Sequence, residues 1–304
     1  MKATTMEPKH FVEQITPAFL MCPPLHLSAD EPNNIWMREM SAAERVVNRP
    51  LALQQFLKLY RHLAERAMVY LLPSQPGLQD LVYVANLGVV LPHTPERTIV
   101  LANFRSEPRR GETEAGRAFF ERFEQPCVIG PAYFEGEADL KHLKGNVYVG
   151  AHGMRTSLDA LQWFEREFEM EVIPFRITNE HLYHLDCVVF PLTREQVLLC
   201  TELTDRETIA RIEKYMEIVD VSFSAARAGI ANCLRIGDQI LCSTHINTMS
   251  EGHPELPDER KKLAELERIC ARLGLQPVYF ELTEFLKSGA LLSCMIMHLN
   301  YCNF

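Results

Sequence analysis

The chain carries no CxxC pair, although nine cysteines are spread through its 304 residues. An odd number of scattered thiols argues against a disulfide scaffold and against a cysteine-rich zinc site. The cysteines read instead as buried, reduced thiols. The histidines show no HExxH or HxH spacing, so no metal site is expected. No GxGxxG turn occurs, which argues against a doubly wound dinucleotide-binding fold. No apolar stretch reaches the ~18 residues of a membrane span. The opening MKATTMEPKHFVEQ lacks the apolar core of a signal peptide. Positive charge is in short supply, with 31 Lys+Arg against 40 Asp+Glu and a formal net charge of −9. Nucleic-acid affinity comes largely from neutralised phosphates, so neither nucleic acid nor a membrane is an expected partner. Reduced thiols and the missing leader together read as cytoplasmic. No Gly-, Ser- or Pro-rich linker divides the chain, and the expectation is a single domain over residues 1–304.

What is present is ordinary globular material, 47% hydrophobic and 23% charged, enough for a sizeable core. Asn48 followed by Pro50 predicts a helix start, with Leu53, Phe56, Leu57, Tyr60 and Leu63 at helical spacing. Thr156 or Ser157 caps a second helix, and Thr204 with Glu207 has capping-box spacing for a third. Pro257 opens a charged helix that Gly274 closes. Between these lie short β-rich runs at 81–85, 98–101, 146–151, 171–177, 187–192, 196–200, 239–243 and 291–299. Gly237-Asp238 fits a two-residue hairpin turn between 232–236 and 239–243.

Strand pairs followed by a helix recur. With Asn86, Asp139, Asp186, Asn232 and Cys294 as landmarks, the gaps are 53, 47, 46 and 62 residues. Repetition at that period predicts a radial α/β array, not two unrelated domains.

Five groups could carry chemistry. On a strand, His184 and Asp186 would face one side, where a carboxylate orients an imidazole for acid/base work; they read equally as a surface pair on a sheet edge. Cys294, in GALLSCMIMHLN, is either a nucleophile or an inert buried thiol. Glu135, Glu137 and Asp139 crowd three carboxylates around Gly136, as a solvated loop or as a grip on a cation. Asp80 and Asn86 flank the apolar run of DLVYVAN. Arg105 and Arg155 sit where a strand ends and a helix begins, and either could clamp a carboxylate.

Taken in order, FLMCPP, NNIWM, DLVYVAN, ANFRSEPRRGE, FEGEAD, GMRTS, HLD, AN-C and LLSC resemble the guanidine-modifying enzymes of the pentein superfamily. That superfamily includes arginine deiminases, dimethylarginine hydrolases and amidinotransferases, and the N-terminal segments are most similar to arginine dihydrolases. The resemblance implies a five-bladed α/β propeller with pseudo-fivefold repeats. It implies Cys294 as nucleophile, His184 as general acid/base, and Glu135 and Asp186 as carboxylates against the guanidinium. Asn86 stands where deiminases carry Asp, as in dihydrolases. Asp80, Arg105 and Arg155 match residues for the amino-acid end, Asn34 the Asn of the N-terminal motif, and Ser288 a lining position. The expected partner is L-arginine or a close guanidino or ureido analogue, with room for a homo-oligomer and no cofactor.

The expected reaction is thiolate attack on the guanidinium carbon, loss of ammonia, and hydrolysis of a thiouronium adduct by water that His184 activates. A second cycle on the ureido product gives ornithine, carbon dioxide and ammonia. The alternatives are a deiminase stopping at citrulline, a citrulline or methylarginine hydrolase, an amidinotransferase, and a non-catalytic binding protein. Two departures bear on substrate choice: FEGEAD has Glu137 and Ala138 where FEGxGD is usual, and NNIWM stands where INPWM is expected.

Overall fold

One pattern of elements recurs around the molecule, which the computed structural model describes over residues 16–301. The N-terminal stretch read above as lacking a signal core, and Cys302, lie outside the described residues. The chain opens with strand β1 (Ala18–Met21), helices α1 (Ile35–Glu39) and α2 (Arg49–Ala64), and β2 (Met68–Leu71). A one-turn 3-10 helix, Val84–Asn86, leads into β3 (Gly88–Val90), β4 (Ile99–Leu101), α3 (Glu112–Glu121) and β5 (Cys127–Ile129). A second turn, Gly136–Ala138, precedes β6 (Leu140–Lys144), β7 (Val147–His152), α4 (Leu158–Phe168) and β8 (Glu171–Arg176). A third, Leu185–Cys187, precedes β9 (Val189–Pro191), β10 (Gln196–Leu199), α5 (Arg206–Ile212) and β11 (Glu217–Asp220). Short α6 (Phe223–Arg227) leads into β12 (Cys233–Ile236), β13 (Gln239–Thr244), α7 (Leu256–Leu273) and β14 (Gln276–Glu281). After α8 (Thr283–Leu286), the turn Ser293–Met295 ends at β15 (Met297–His298).

Among the described residues these strands make five three-stranded sheets, in each of which the middle strand pairs antiparallel on one side and parallel on the other. The middle strands are largely buried on both faces and carry short apolar runs, such as Ile99–Leu101. In four sheets the strands are consecutive in sequence. The fifth joins the two ends of the described chain, with β1 between β15 and β2 and Phe19 opposite both His298 and Val69. The Leu299 N–H donates to the Ala18 carbonyl at 2.8 Å, and the Ala18 N–H to Asn300 Oδ1 at 3.1 Å. Apolar clusters bridge neighbouring sheets: Leu198 and Val219 of one pack with Ile240 of the next and with Leu266 and Ile269 of α7.

The helix starts follow the chemistry of the caps. Asn48 Oδ1 accepts from the Leu51 N–H at 3.2 Å, and Ser157 Oγ from the Ala160 N–H at 3.3 Å. Gly274 closes α7 in the left-handed region, at φ 67°. The third helix is capped one residue later than expected: Asp205, not Thr204, accepts from the Thr208 N–H, and the Thr204 hydroxyl donates to the Cys200 carbonyl. Three expected strands are corrected. Residues 81–85 run as turns into a 3-10 helix, 291–299 contains a 3-10 turn before two-residue β15, and His184–Asp186 starts a 3-10 turn. Each lies at the entrance to a repeat, where polar groups turn away from the ladder. No helix of the described residues is long and apolar enough to cross a membrane.

Candidate active site

The five landmark residues meet in one place. Each lies in or beside the segment entering the first strand of its repeat, and all five are buried. The turns pack directly on one another. Gly136, at φ 68°, leaves so little space that a Cβ there would sit 2.4 Å from the Ala85 carbonyl oxygen, which is why FEG requires its glycine.

His184 is the hub of one half. Its Nδ1 lies 2.9 Å from Asp139 Oδ1, its Nε2 3.1 Å from Asn86 Nδ2 and 3.4 Å from Glu135 Oε2. The Asn86 amide nitrogen can only donate, so Nε2 accepts and Nδ1 carries the proton. Asp139 is held in turn: Oδ2 accepts from Thr156 Oγ1 at 2.6 Å, and Oδ1 also accepts from the Leu185 N–H. Thr156 therefore serves the site, while its neighbour Ser157 caps the helix. The arrangement leaves an imidazole whose unprotonated nitrogen, Nε2, faces Asn86 and Glu135.

Cys294 is the hub of the other half. Asn232 Nδ2 donates to Sγ at 3.4 Å and to Asp186 Oδ2 at 3.0 Å, while Asn232 Oδ1 accepts from the Ser293 N–H at 2.8 Å. The Cys294 thiol donates to Asp186 Oδ2 at 3.6 Å, and Ser293 Oγ donates to the same oxygen at 2.7 Å. Burial, then the Asp186 charge, pushes the Cys294 thiol up to about 12. The sulfur's side-chain partners are Asp186 and Asn232, whereas the His184 ring contacts Asp139, Asn86 and Glu135. His184 and Asp186, expected side by side on a strand, serve different halves of the site.

The remaining candidates lie around this centre. Glu135 is fully buried, with Arg155 Nη1 at 3.4 Å from Oε1. The Arg155 guanidinium also stacks 5.1 Å from the Tyr183 ring centre and donates through Nη2 to the Asn33 carbonyl at 2.7 Å. Asp80 is buried and accepts from Asn33 and Gln79; burial pushes its carboxyl up. Asn34 caps α1 by accepting from the Met37 N–H at 3.0 Å, and its amide donates to the Ser288 carbonyl at 2.9 Å. Ser288 thus meets Asn34 through its backbone. Arg105 is exposed and donates to the Met154 carbonyl at 2.8 Å. Glu137, one of the two departures in FEGEAD, points elsewhere: His298 Nδ1 lies 2.6 Å and Lys141 Nζ 3.8 Å from Oε1. Among the described residues no group of three or more His, Cys, Asp or Glu side chains is gathered as a metal site.

A family described as N,N dimethylarginine dimethylhydrolase, eukaryotic, matches residues 24–300. The chain belongs to this family. It is 30% identical over 92% of its length to the bifunctional arginine dihydrolase/ornithine cyclodeaminase AgrE of Nostoc sp., and 29% identical over 91% to ArgZ of Synechocystis sp., which is described in the same words. It spans only 37% of either relative. The crystal structure of the N-terminal domain of ArgZ with bound product, described as an arginine dihydrolase, superposes with a TM-score of 0.80 at 26% identity, covering 93% of this chain and 97% of that one. The same domain has been seen covalently bound to a reaction intermediate, with the same TM-score and coverage. A dimethylarginine dimethylaminohydrolase adduct shares the fold at a TM-score of 0.69 and 17% identity. The architecture is therefore the α/β pentein fold of this family, built on five small sheets.

Four residues of this dimethylarginine-hydrolase-family site escaped selection from the sequence. Asp139 stood out as a repeat landmark and as one of three carboxylates around Gly136, and Asn232 as a landmark within AN-C, but neither had a role assigned to it; their spacing was the signal that could have given one. Arg109, within ANFRSEPRRGE, is buried; it pairs with Glu112 at 2.8 and 2.9 Å and donates to the Asp80 and Tyr83 carbonyls, fixing the segment that bears Asp80 and Asn86. Asn33 is the fourth.

Proposed function

We propose that the chain hydrolyses the guanidinium group of L-arginine through a Cys294 thiouronium adduct, as an arginine dihydrolase releasing ornithine, carbon dioxide and ammonia. One observation carries the reading: the buried Asp186 carboxylate is met by the Asn232 amide, the Ser293 hydroxyl and the thiols of Cys187 and Cys294, all neutral. A buried carboxylate without a cation is costly, and a substrate cation offsets that cost at the point where the nucleophile stands. A guanidinium on Asp186 and Glu135 takes over the oxygen that the thiol donates to and adds positive charge beside sulfur. The thiol proton passes to His184 Nε2, which Asp139 holds ready through Nδ1. Sulfur attacks the guanidinium carbon, the imidazolium returns the proton to departing ammonia, and the imidazole then takes a proton from the water that cleaves the adduct. Catalytic roles fall to Cys294, His184 and Glu135. Asp186, Asn86, Asp80, Arg155, Arg105, Asn34 and Ser288 line the substrate, with Arg155 and Asp80 nearest the means to hold its carboxylate and ammonium.

Asn86 favours the dihydrolase over the deiminase. A neutral amide can accept from the guanidinium and donate to the carbonyl of the ureido intermediate, whereas Asp would repel that carbonyl. The span that this chain shares with the ArgZ N-terminal domain agrees with that half of the relatives' activity. We infer further that the five sheets stand as blades of a propeller about the site, that residues 1–304 act as one catalytic domain, and that the enzyme works in the cytoplasm on a small-molecule substrate. The test is labelled arginine with product analysis by mass spectrometry. Ornithine as the main product supports the reading. Stoichiometric citrulline replaces it with a deiminase, and an amidinated amine formed only with an added acceptor replaces it with a transferase.

A further inference from the structure

We propose that Asn33 is a built-in stand-in for the amino-acid end of the substrate, one that a substrate bearing an α-amino group must displace. The inference rests on the arginine-hydrolase reading and assigns a specificity-determining residue within it.

Asn33 is fixed in place by its surroundings. It directly precedes Asn34, which caps α1 and is tied to the Ser288 carbonyl. Two residues on, Trp36 Nε1 donates to the His181 carbonyl at 2.9 Å. So anchored, Asn33 meets both charged groups proposed for the substrate's end. Its side-chain amide donates to Asp80 Oδ2, and its backbone carbonyl accepts from Arg155 Nη2 at 2.7 Å. One residue thus offers N–H to the carboxylate and oxygen to the guanidinium, as the ammonium and carboxylate of a free amino acid would.

The exchange has a physical cause. Asp80 is buried, and a buried carboxylate needs donors. Asn33 and Gln79 supply them, both at Oδ2. Arg155 meanwhile leans on Glu135, with Nη1 at 3.4 and 3.5 Å from its two oxygens, where the substrate's guanidinium is to lie. Substrate entry must therefore move Arg155 off Glu135 and free it from the Asn33 carbonyl. An arriving ammonium competes with the Asn33 amide for Asp80. The side-chain contact depends on this chain's departure at the motif. Where the resembling enzymes read INPWM, position 33 is Ile, which has no donor to give Asp80.

The test compares two ligands on the Cys294→Ala background by titration calorimetry: arginine, and 5-guanidinopentanoate, which is arginine without its α-amino group. Asn33→Ala and Asn33→Ile are measured beside Asn33, with melting temperatures checking that each variant folds. Loss of the competitor is expected to tighten arginine binding about tenfold, the worth of one hydrogen bond to a charged group, in both variants. Binding of 5-guanidinopentanoate is expected to stay the same, because Asn33 can remain on Asp80 beneath it. Equal tightening of both ligands would mean that Asn33 only latches the segment shut, and overturns the proposal. Weaker or unchanged arginine binding overturns it too, the former making Asn33 a direct ligand of the substrate. Turnover of arginine by the unaltered protein keeps the two readings apart: if it is present and Asn33 has no effect, only the stand-in falls; if the unaltered protein neither binds nor turns over arginine, both fall.

Discussion

With its thiol held up at about 12, Cys294, the proposed nucleophile, is nearly inert in the free protein. At pH 8 such a thiol is ~10⁻⁴ ionised, against ~10⁻¹ for an ordinary one near 9, so alkylation should run roughly a thousandfold slower. Burial slows access as well, and the pH profile is therefore the better measure. Iodoacetamide labelling of the peptide containing Cys294, followed by mass spectrometry, should rise about tenfold per pH unit from 7 to 9.5 without levelling. The second cause is removable. Asp186 Oδ2 lies 3.6 Å from the sulfur. A unit charge at that distance is worth roughly 1–5 kcal/mol at an effective dielectric of ~80 to ~20. Removing a negative charge favours the thiolate, so Asp186→Asn should move the profile down by about one pH unit or more. The variant should then label faster than the unaltered protein at every pH while losing turnover, because the substrate's cation has lost its partner. A plateau below pH 9 in the unaltered protein would show a preformed thiolate. An unmoved profile in Asp186→Asn would show that the carboxylate does not act on the sulfur. Either result refutes the substrate-activated thiol.

Asp139→Asn offers an amide that no longer fixes the Nδ1 proton of His184, and kcat should fall about a hundredfold or more with KM little changed in steady-state assays. Asn86→Asp places a carboxylate where Nε2 now accepts a hydrogen bond; the product should shift from ornithine toward citrulline, read by mass spectrometry. Against the effect of burial, the His298 ring and backbone N–H, with Lys141, hold the Glu137 carboxyl down at about 2 from an ordinary 4.5. A depressed carboxyl contributes stability above its unfolded value and loses it as pH falls through the folded one. Glu137→Gln should therefore cost about 3 kcal/mol at pH 7 in urea unfolding, with the gap to the unaltered protein closing between about pH 4.5 and pH 2.

Much of this site was legible because the repeat is. Hairpins and helices declared themselves through Asn48, Ser157 and Gly274, and the landmark spacing picked out all five residues that meet at the centre. The strand assignments for 81–85 and 184–186 failed for one reason. Leu81, Val82, Val84 and Leu185 are apolar enough for a strand, but the backbone there must turn so that Asn86, His184 and Asp186 face the centre. Local periodicity reports burial and not the direction of a turn. The partner of His184 was misjudged for a related reason. Asp186 is two residues away in sequence, whereas Asp139 is 45 away and belongs to the preceding repeat. Asn33 gave no signal of its own, since a polar residue before a helix cap reads as loop; only the departure from INPWM set it apart.

The sheet that joins the two ends of the described chain has a consequence for how the protein is made. Phe19 leaves the ribosome 279 residues ahead of its antiparallel partner His298. At ~5–20 residues per second, β1 and β2 wait on the order of 15–60 seconds for β15. Throughout that time β1, buried along its whole length in the finished molecule, has one edge without its neighbour. Cys294, the proposed nucleophile, lies three residues before β15, in the same segment. A nascent chain, or one truncated before this segment, thus leaves the edge of β1 open and lacks Cys294 at once.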